Sequence, residues 1–101
     1  MSDTLAVLSS EELSQALSQL DVAWSVIPGR GLIRVIPTKD FTTGFAIVAQ
    51  VAGLADQLNH HPEVTLRYDE VELTLLTHAV DGITHADLRL AKAIDELRLP
   101  R

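Results

Sequence analysis

The sequence predicts an α+β fold: one domain with a four-stranded antiparallel sheet and three helices on one face, in the order α-β-β-α-β-β-α. Three observations predict it. Apolar residues recur at helical spacing in three stretches. Four short runs are β-prone or alternate with period two, and they come in pairs around turn sequences, as antiparallel strands do. The length, 101 residues, suits a single core.

Ser9-Ser10-Glu11-Glu12 sets a serine three residues before a glutamate, a capping-box pattern. Leu13, Ala16, Leu17 and Leu20 follow at helical spacing, so the first helix is expected over about residues 10 to 20. Trp24-Ser25-Val26-Ile27 and Leu32-Ile33-Arg34-Val35-Ile36 flank Pro28-Gly29-Arg30-Gly31 and read as a hairpin that stops at Pro37. Asp40 is placed to cap a second helix whose apolar stripe is Phe41, Phe45, Val48, Ala52, Ala55 and Leu58. That helix is expected to reach about His60, because Pro62 disfavours helical geometry at His61. Val64, Leu66 and Tyr68, then Val71, Leu73 and Leu75, alternate with polar residues as two half-buried strands, with Asp69-Glu70 as a two-residue turn. Thr84 opens the last helix, which Asp87 helps to cap and which turns Leu90, Ala91, Ile94 and Leu97 inward.

Composition narrows the function. Fourteen acids against eight bases give a net charge of −6, which argues against binding nucleic acid or an anionic membrane. With no cysteine there is no disulfide, thiolate zinc site or cysteine nucleophile. Met1-Ser2-Asp3-Thr4-Leu5 has no basic, apolar leader pattern, and no apolar run nears the roughly 20 residues that span a bilayer. A cytoplasmic location is expected.

Three of the four histidines, His60, His61 and His78, fall within nineteen residues around the second hairpin. Imidazole titrates near neutral pH, so such a cluster suits proton transfer or metal binding. A turn at Asp69-Glu70 sets Arg67 opposite Glu72 and, at the hairpin's open end, His61 opposite His78, with Cβ atoms about 5 Å apart. Asp56, four residues before His60, is expected to share a helical face with it and pair with it. His60, His61, His78 and Asp56 also form a legitimate zinc ligand set, although adjacent histidines usually diverge. Other residues read as structural: Asp87 as a cap, His85 as exposed, Tyr68 and Trp24 as core, Arg30 and Arg34 as a solvated strand edge.

The run Asp56-x-x-x-His60-His61-Pro62, then Tyr68, His78 and Asp87, resembles the signature of the pterin-4a-carbinolamine dehydratases. Asp40-Phe41, Phe45, Thr77, Ile83-Thr84, Leu90-Ala91 and Ile94 extend the resemblance over nearly the whole chain, as one such domain over residues 1–101. The resemblance implies a homodimer or homotetramer that dehydrates 4a-hydroxytetrahydropterin to quinonoid dihydropterin without metal or cofactor. It implies acid/base or substrate-holding roles for His60, His61 and His78. It puts pterin contacts at Asp56, Asn59, Leu76 and Thr77, partly through backbone groups. Asn59 stands where the family often has aspartate, Leu76 where a small polar residue is common, and Val35, Ile36 and Pro37 where aromatics are frequent. The same scaffold also serves as a dimerisation partner of a transcription factor and as an assembly chaperone, which gives a non-catalytic alternative.

Overall fold

The computed structural model describes residues 6–100 and has the expected element order. Helix α1 spans Ser10–Leu17, strands β1 and β2 span Trp24–Ile27 and Gly31–Pro37, and helix α2 spans Phe41–Leu58. Strands β3 and β4 span Glu63–Leu66 and Glu70–Leu75, and helix α3 spans His85–Asp95. The strands form one antiparallel sheet in the order β1-β2-β4-β3. The N-terminal stretch read above as lacking a leader pattern lies outside the described residues. Among the described residues no helix is long and apolar enough to cross a membrane.

Side chains cap each helix start. Ser9 Oγ accepts from the Glu12 N–H at 3.1 Å while Glu12 Oε1 accepts from the Ser9 N–H at 2.9 Å, the reciprocal box that the sequence shows. Asp40 Oδ1 accepts from the Thr43 N–H at 2.8 Å. These bonds to Ser9 and Thr43 hold the Glu12 and Asp40 carboxyls below their ordinary range. Helix α1 stops at Leu17 rather than near residue 20, where the Ser18 hydroxyl donates to Gln15 O at 2.6 Å.

One sheet face carries the core. Leu32, Ile36, Val71, Leu73 and Leu75 pack with Ile47 and Val51 of α2 and Leu90 and Ile94 of α3. Burial of each such side chain contributes about 1.5–3 kcal/mol. Gly31 lets β2 start tight against β4: its φ is +120°, and a Cβ there would collide with the Leu75 carbonyl oxygen.

Four details depart from expectation. The buried face of α2 is Gly44, Ile47, Val51 and Ala55, whereas Phe41 and Phe45 of the expected stripe are 50% and 61% exposed. The helix is apolar on more than one side, and Gly44 decides which side docks. A Cβ at Gly44 would lie 2.8 Å from Leu66 Cδ1 and 3.3 Å from Val71 Cγ2, so the missing side chain is what lets α2 approach β3 and β4.

The second hairpin turns one residue earlier than expected. Arg67 N–H donates to Glu70 O at 2.9 Å, which leaves Tyr68-Asp69 as the loop, and Leu66, not Tyr68, pairs with Val71. Every pairing moves by two residues, and a shift of two keeps each side chain on its face, so alternation cannot detect it. Arg67 still meets Glu72 at 3.1 Å, but also Glu70 at 2.6 Å. Tyr68 leaves the core for the turn and is 71% exposed.

Arg34 is no solvated edge. It lies on the core face between Leu32 and Ile36, is 1% exposed, and donates to Asp95 Oδ1 of α3 at 2.6 Å. Trp24 is buried as expected, and its indole N–H donates to the same oxygen at 2.7 Å.

Candidate active site

The histidines gather where α2 ends. Asn59 takes left-handed geometry at φ 52°, and the His60 N–H reaches back to Ala55 O at 3.1 Å, a helix-ending pattern. The helical register is therefore broken before His60, and Asp56 does not pair with it. Instead, Asp56 Oδ1 meets His61 Nε2 at 2.9 Å, both groups exposed.

His60 turns inward to the start of α3. Its Nε2 lies 2.6 Å from Asp87 Oδ1, and Asp87 is fully buried. The other oxygen, Asp87 Oδ2, accepts from Thr77 Oγ1 at 2.8 Å and from the Thr84 N–H at 2.9 Å. Because the Thr77 hydroxyl proton goes to Asp87, the Thr84 hydroxyl donates to Thr77 Oγ1 at 2.8 Å, and Thr84 in turn accepts from the Ala86 N–H at 3.2 Å. Asp87 thus caps α3, as the sequence indicates, and also holds a histidine. With Nε2 donating to the carboxylate, Nδ1 is the ring atom of His60 left for chemistry.

His61 does not face His78, for the two-residue register shift removes that opposition. His78 Nε2 lies 3.8 Å from Glu63 Oε2, both exposed. Each histidine of the cluster therefore has its own carboxylate: Asp87 buried, Asp56 and Glu63 open to solvent. Asp87 bonds both His60 and Thr77, and chain adjacency sets His61 next to His60 and His78 next to Thr77. Among the described residues, no group of three or more histidine or acidic side chains is arranged to hold a metal ion.

An apolar slot of about 160 Å³ opens beside His61, lined by Val48, Ala52, Ala55, Asp56, Pro62 and Val64 among others. Asn59 is exposed at the helix end. Thr77 is buried and committed: its hydroxyl serves Asp87 and its N–H donates to Gly82 O at 2.9 Å. Leu76 is not at the cluster; it lines a separate cavity of about 210 Å³ with Val7, Leu13, Val26 and Ile83. His85 is exposed, as expected.

Sequence reasoning missed Glu63 and the Asp87–His60 bond. Glu63 reads as the polar half of an alternating strand, and its place one residue after Pro62 is the only local hint. Asp87 and His60 are 27 residues apart, and no pattern in either segment announces the other.

Comparison with known proteins points one way. A family model described as pterin 4 alpha carbinolamine dehydratase matches residues 6–97. Proteins of Brucella ovis and Brucella canis, provisionally named pterin-4-alpha-carbinolamine dehydratase, are each 38% identical over 91 residues, covering 89% of this chain and 93% of theirs. A crystal structure described as a transcriptional coactivator/pterin dehydratase from Brucella melitensis superposes with a TM-score of 0.83 at 36% identity, covering 91% of this chain and 98% of that one.

Proposed function

This chain belongs to the pterin 4 alpha carbinolamine dehydratase family, and from that premise we propose that it dehydrates 4a-hydroxytetrahydropterin to quinonoid dihydropterin by histidine acid/base catalysis. The observation that carries the reading is the buried Asp87, which holds His60 at 2.6 Å and also takes the hydroxyl of Thr77, the neighbour of His78, while Asp56 meets the adjacent His61 at 2.9 Å. The reaction breaks the C4a–O bond, releases the hydroxyl as water and removes a ring-nitrogen proton, whose electron pair closes the new C=N bond. One imidazolium supplies the proton for the leaving hydroxyl, and a neutral imidazole or water takes the other. Both tasks suit groups that titrate near neutrality.

In this reading His60 works through Nδ1 from a fixed position, and the exposed His61 and His78 exchange protons with solvent. Asp56 beside His61 and the Asn59 amide at the end of α2 are suited to the amino and N–H groups of a pterin. Thr77 acts through Asp87 rather than on the pterin, and the apolar slot beside His61 offers a wall for a flat ring. The enzyme would serve tetrahydropterin recycling for an aromatic amino-acid hydroxylase in the cytoplasm, as a homodimer or homotetramer. Its exposed Phe41, Phe45 and Val64 support assembly.

Stopped-flow dehydration of 4a-hydroxytetrahydropterin tests the proposal. Wild type is expected to accelerate the reaction, and His61→Ala and His78→Ala to lose on the order of 10²-fold or more. Unchanged rates in both variants would sink the assignment. The same exposed aromatics favour a second reading, an interaction protein, which gains if well-folded wild type leaves the dehydration rate unchanged.

A further inference from the structure

We propose that this chain holds a second ligand site, for a short aliphatic monocarboxylate, at the end of α3 away from His60, where the unused edge of the buried Arg34 guanidinium takes the carboxylate. The site is independent of the dehydratase reading.

Arg34 is 1% exposed and yet only partly employed. A guanidinium offers its N–H donors in a planar fork. Nη1 donates to Asp95 Oδ1 at 2.6 Å, whereas Nη2 meets only the Pro100 carbonyl, at a long 3.4 Å. Nε is buried and has no hydrogen-bond partner among the described residues. Nε and Nη2 together form the side-on edge of the fork, whose parallel N–H bonds match the two oxygens of a carboxylate. A buried donor left without an acceptor is destabilising. The fold supplies none to Nε, and a ligand can.

There is room beside it. A cavity of about 330 Å³ is lined by Asp21, Arg34, Asp95, Arg98 and Leu99. Both Asp95 oxygens are already engaged, Oδ1 by Arg34 and the Trp24 indole and Oδ2 by the Asp21 N–H. Two guanidiniums therefore face two carboxylates across the cavity, and charge selects the guest. A doubly charged phosphate would oppose both acids, whereas a planar monoanion fits the fork and brings a single charge near Arg98. Leu99 offers an apolar surface to the rest of the molecule.

What covers the edge is lightly held. Past α3 the chain turns at Arg98, which takes left-handed geometry at φ 58°, and Pro100 O then comes to Nη2. That backbone geometry is unfavourable for a residue with a side chain. A carboxylate replaces one long carbonyl contact by two charge-assisted bonds, so it competes well for the position.

Butyrate is the probe, beside its neutral counterpart butyramide, and phosphate and chloride, all at one ionic strength near neutral pH. The readouts are the Arg34 Nε–H resonance and the indole N–H resonance of Trp24, the only tryptophan, which shares Asp95 Oδ1 with Arg34. Butyrate is expected to shift both saturably in the millimolar range and to raise the melting temperature, while the other three leave them in place. Arg34→Lys keeps a charge opposite Asp95 but has no side-on edge, so it should weaken butyrate binding about tenfold or more, read at Trp24. Arg98→Ala, at an exposed position, should weaken it about threefold with the fold intact.

Wild-type resonances that butyrate leaves unmoved, or moves no further than butyramide or chloride do, overturn the site. A folded Arg34→Lys protein that binds butyrate as wild type does overturns it equally. Phosphate binding as tightly as butyrate overturns the choice of a planar monocarboxylate. Should Arg34→Lys fail to fold, the wild-type comparison and Arg98→Ala decide, and unchanged binding in Arg98→Ala removes that residue from the site.

Discussion

Asp87 accepts three hydrogen bonds in full burial, from His60, Thr77 and the Thr84 backbone. Its geometry asks for a carboxylate. Asparagine there can still accept from Thr84 and Thr77, but it then offers an N–H to His60 Nε2, so the ring must move its proton to Nδ1 and presents the wrong atom to a substrate. Asp87→Asn is expected to cost about 1–3 kcal/mol in urea unfolding and on the order of 10²–10⁴-fold in dehydration rate. An activity loss no larger than the stability loss explains would reduce Asp87 to a helix cap. At this scale the sequence was informative about which residues matter and less so about their partners. His60, His61 and His78 stand out by number and spacing. Their carboxylates are settled by where α2 terminates and where α3 docks, and the left-handed Asn59 moved Asp56 from His60 to His61.

Elements were legible where local chemistry sets them. The caps at Ser9, Asp40 and Thr84 and the strand alternation can be read directly, because each depends on neighbours within a few residues. Register and docking face depend on contacts between elements, and there the reading slipped. A hairpin moved by two residues keeps its faces, and a helix apolar on two sides can dock on either, with Gly44 breaking the tie. The corrected register places Glu72 between two guanidiniums, Arg30 at 2.9 Å and Arg67 at 3.1 Å. The hydrogen bond from Arg30, then that from Arg67, hold its carboxyl below the usual glutamate range. A depressed folded value means the contribution is complete above the ordinary glutamate range and is lost as pH falls through the lowered value. Urea midpoints measured from about pH 7 down to about pH 2 should therefore fall more steeply in wild type than in Glu72→Gln. Parallel acid limbs would show that the network does not contribute.

On the scale of the molecule, α3 is fastened at both ends by acids. Asp87 in its first turn reaches His60, and Asp95 in its last reaches Arg34, Trp24 and, through Oδ2, the Asp21 N–H at 2.8 Å. The second fastening was not legible: Arg34 sits in an apolar strand, and only the arrival of α3 shows why a charge is tolerated there. Breaking a buried pair leaves an uncompensated charge, so Asp95→Asn should lower the unfolding free energy by about 3–5 kcal/mol. Chemical denaturation measures it, and a loss below about 1 kcal/mol would mean that Arg34 finds another counter-charge or water.

Trp24 gives the molecule its own lamp. It is the only tryptophan in the chain, it is buried, and its indole N–H is bonded to Asp95. Emission from such a ring depends on its polarity and on its hydrogen-bond partner. The colour of the light therefore registers whether the far end of α3 is seated on the sheet. Because the near end of the same helix carries Asp87, an optical signal from one pole of the molecule also tells whether the helix that steadies His60 is still in place at the other.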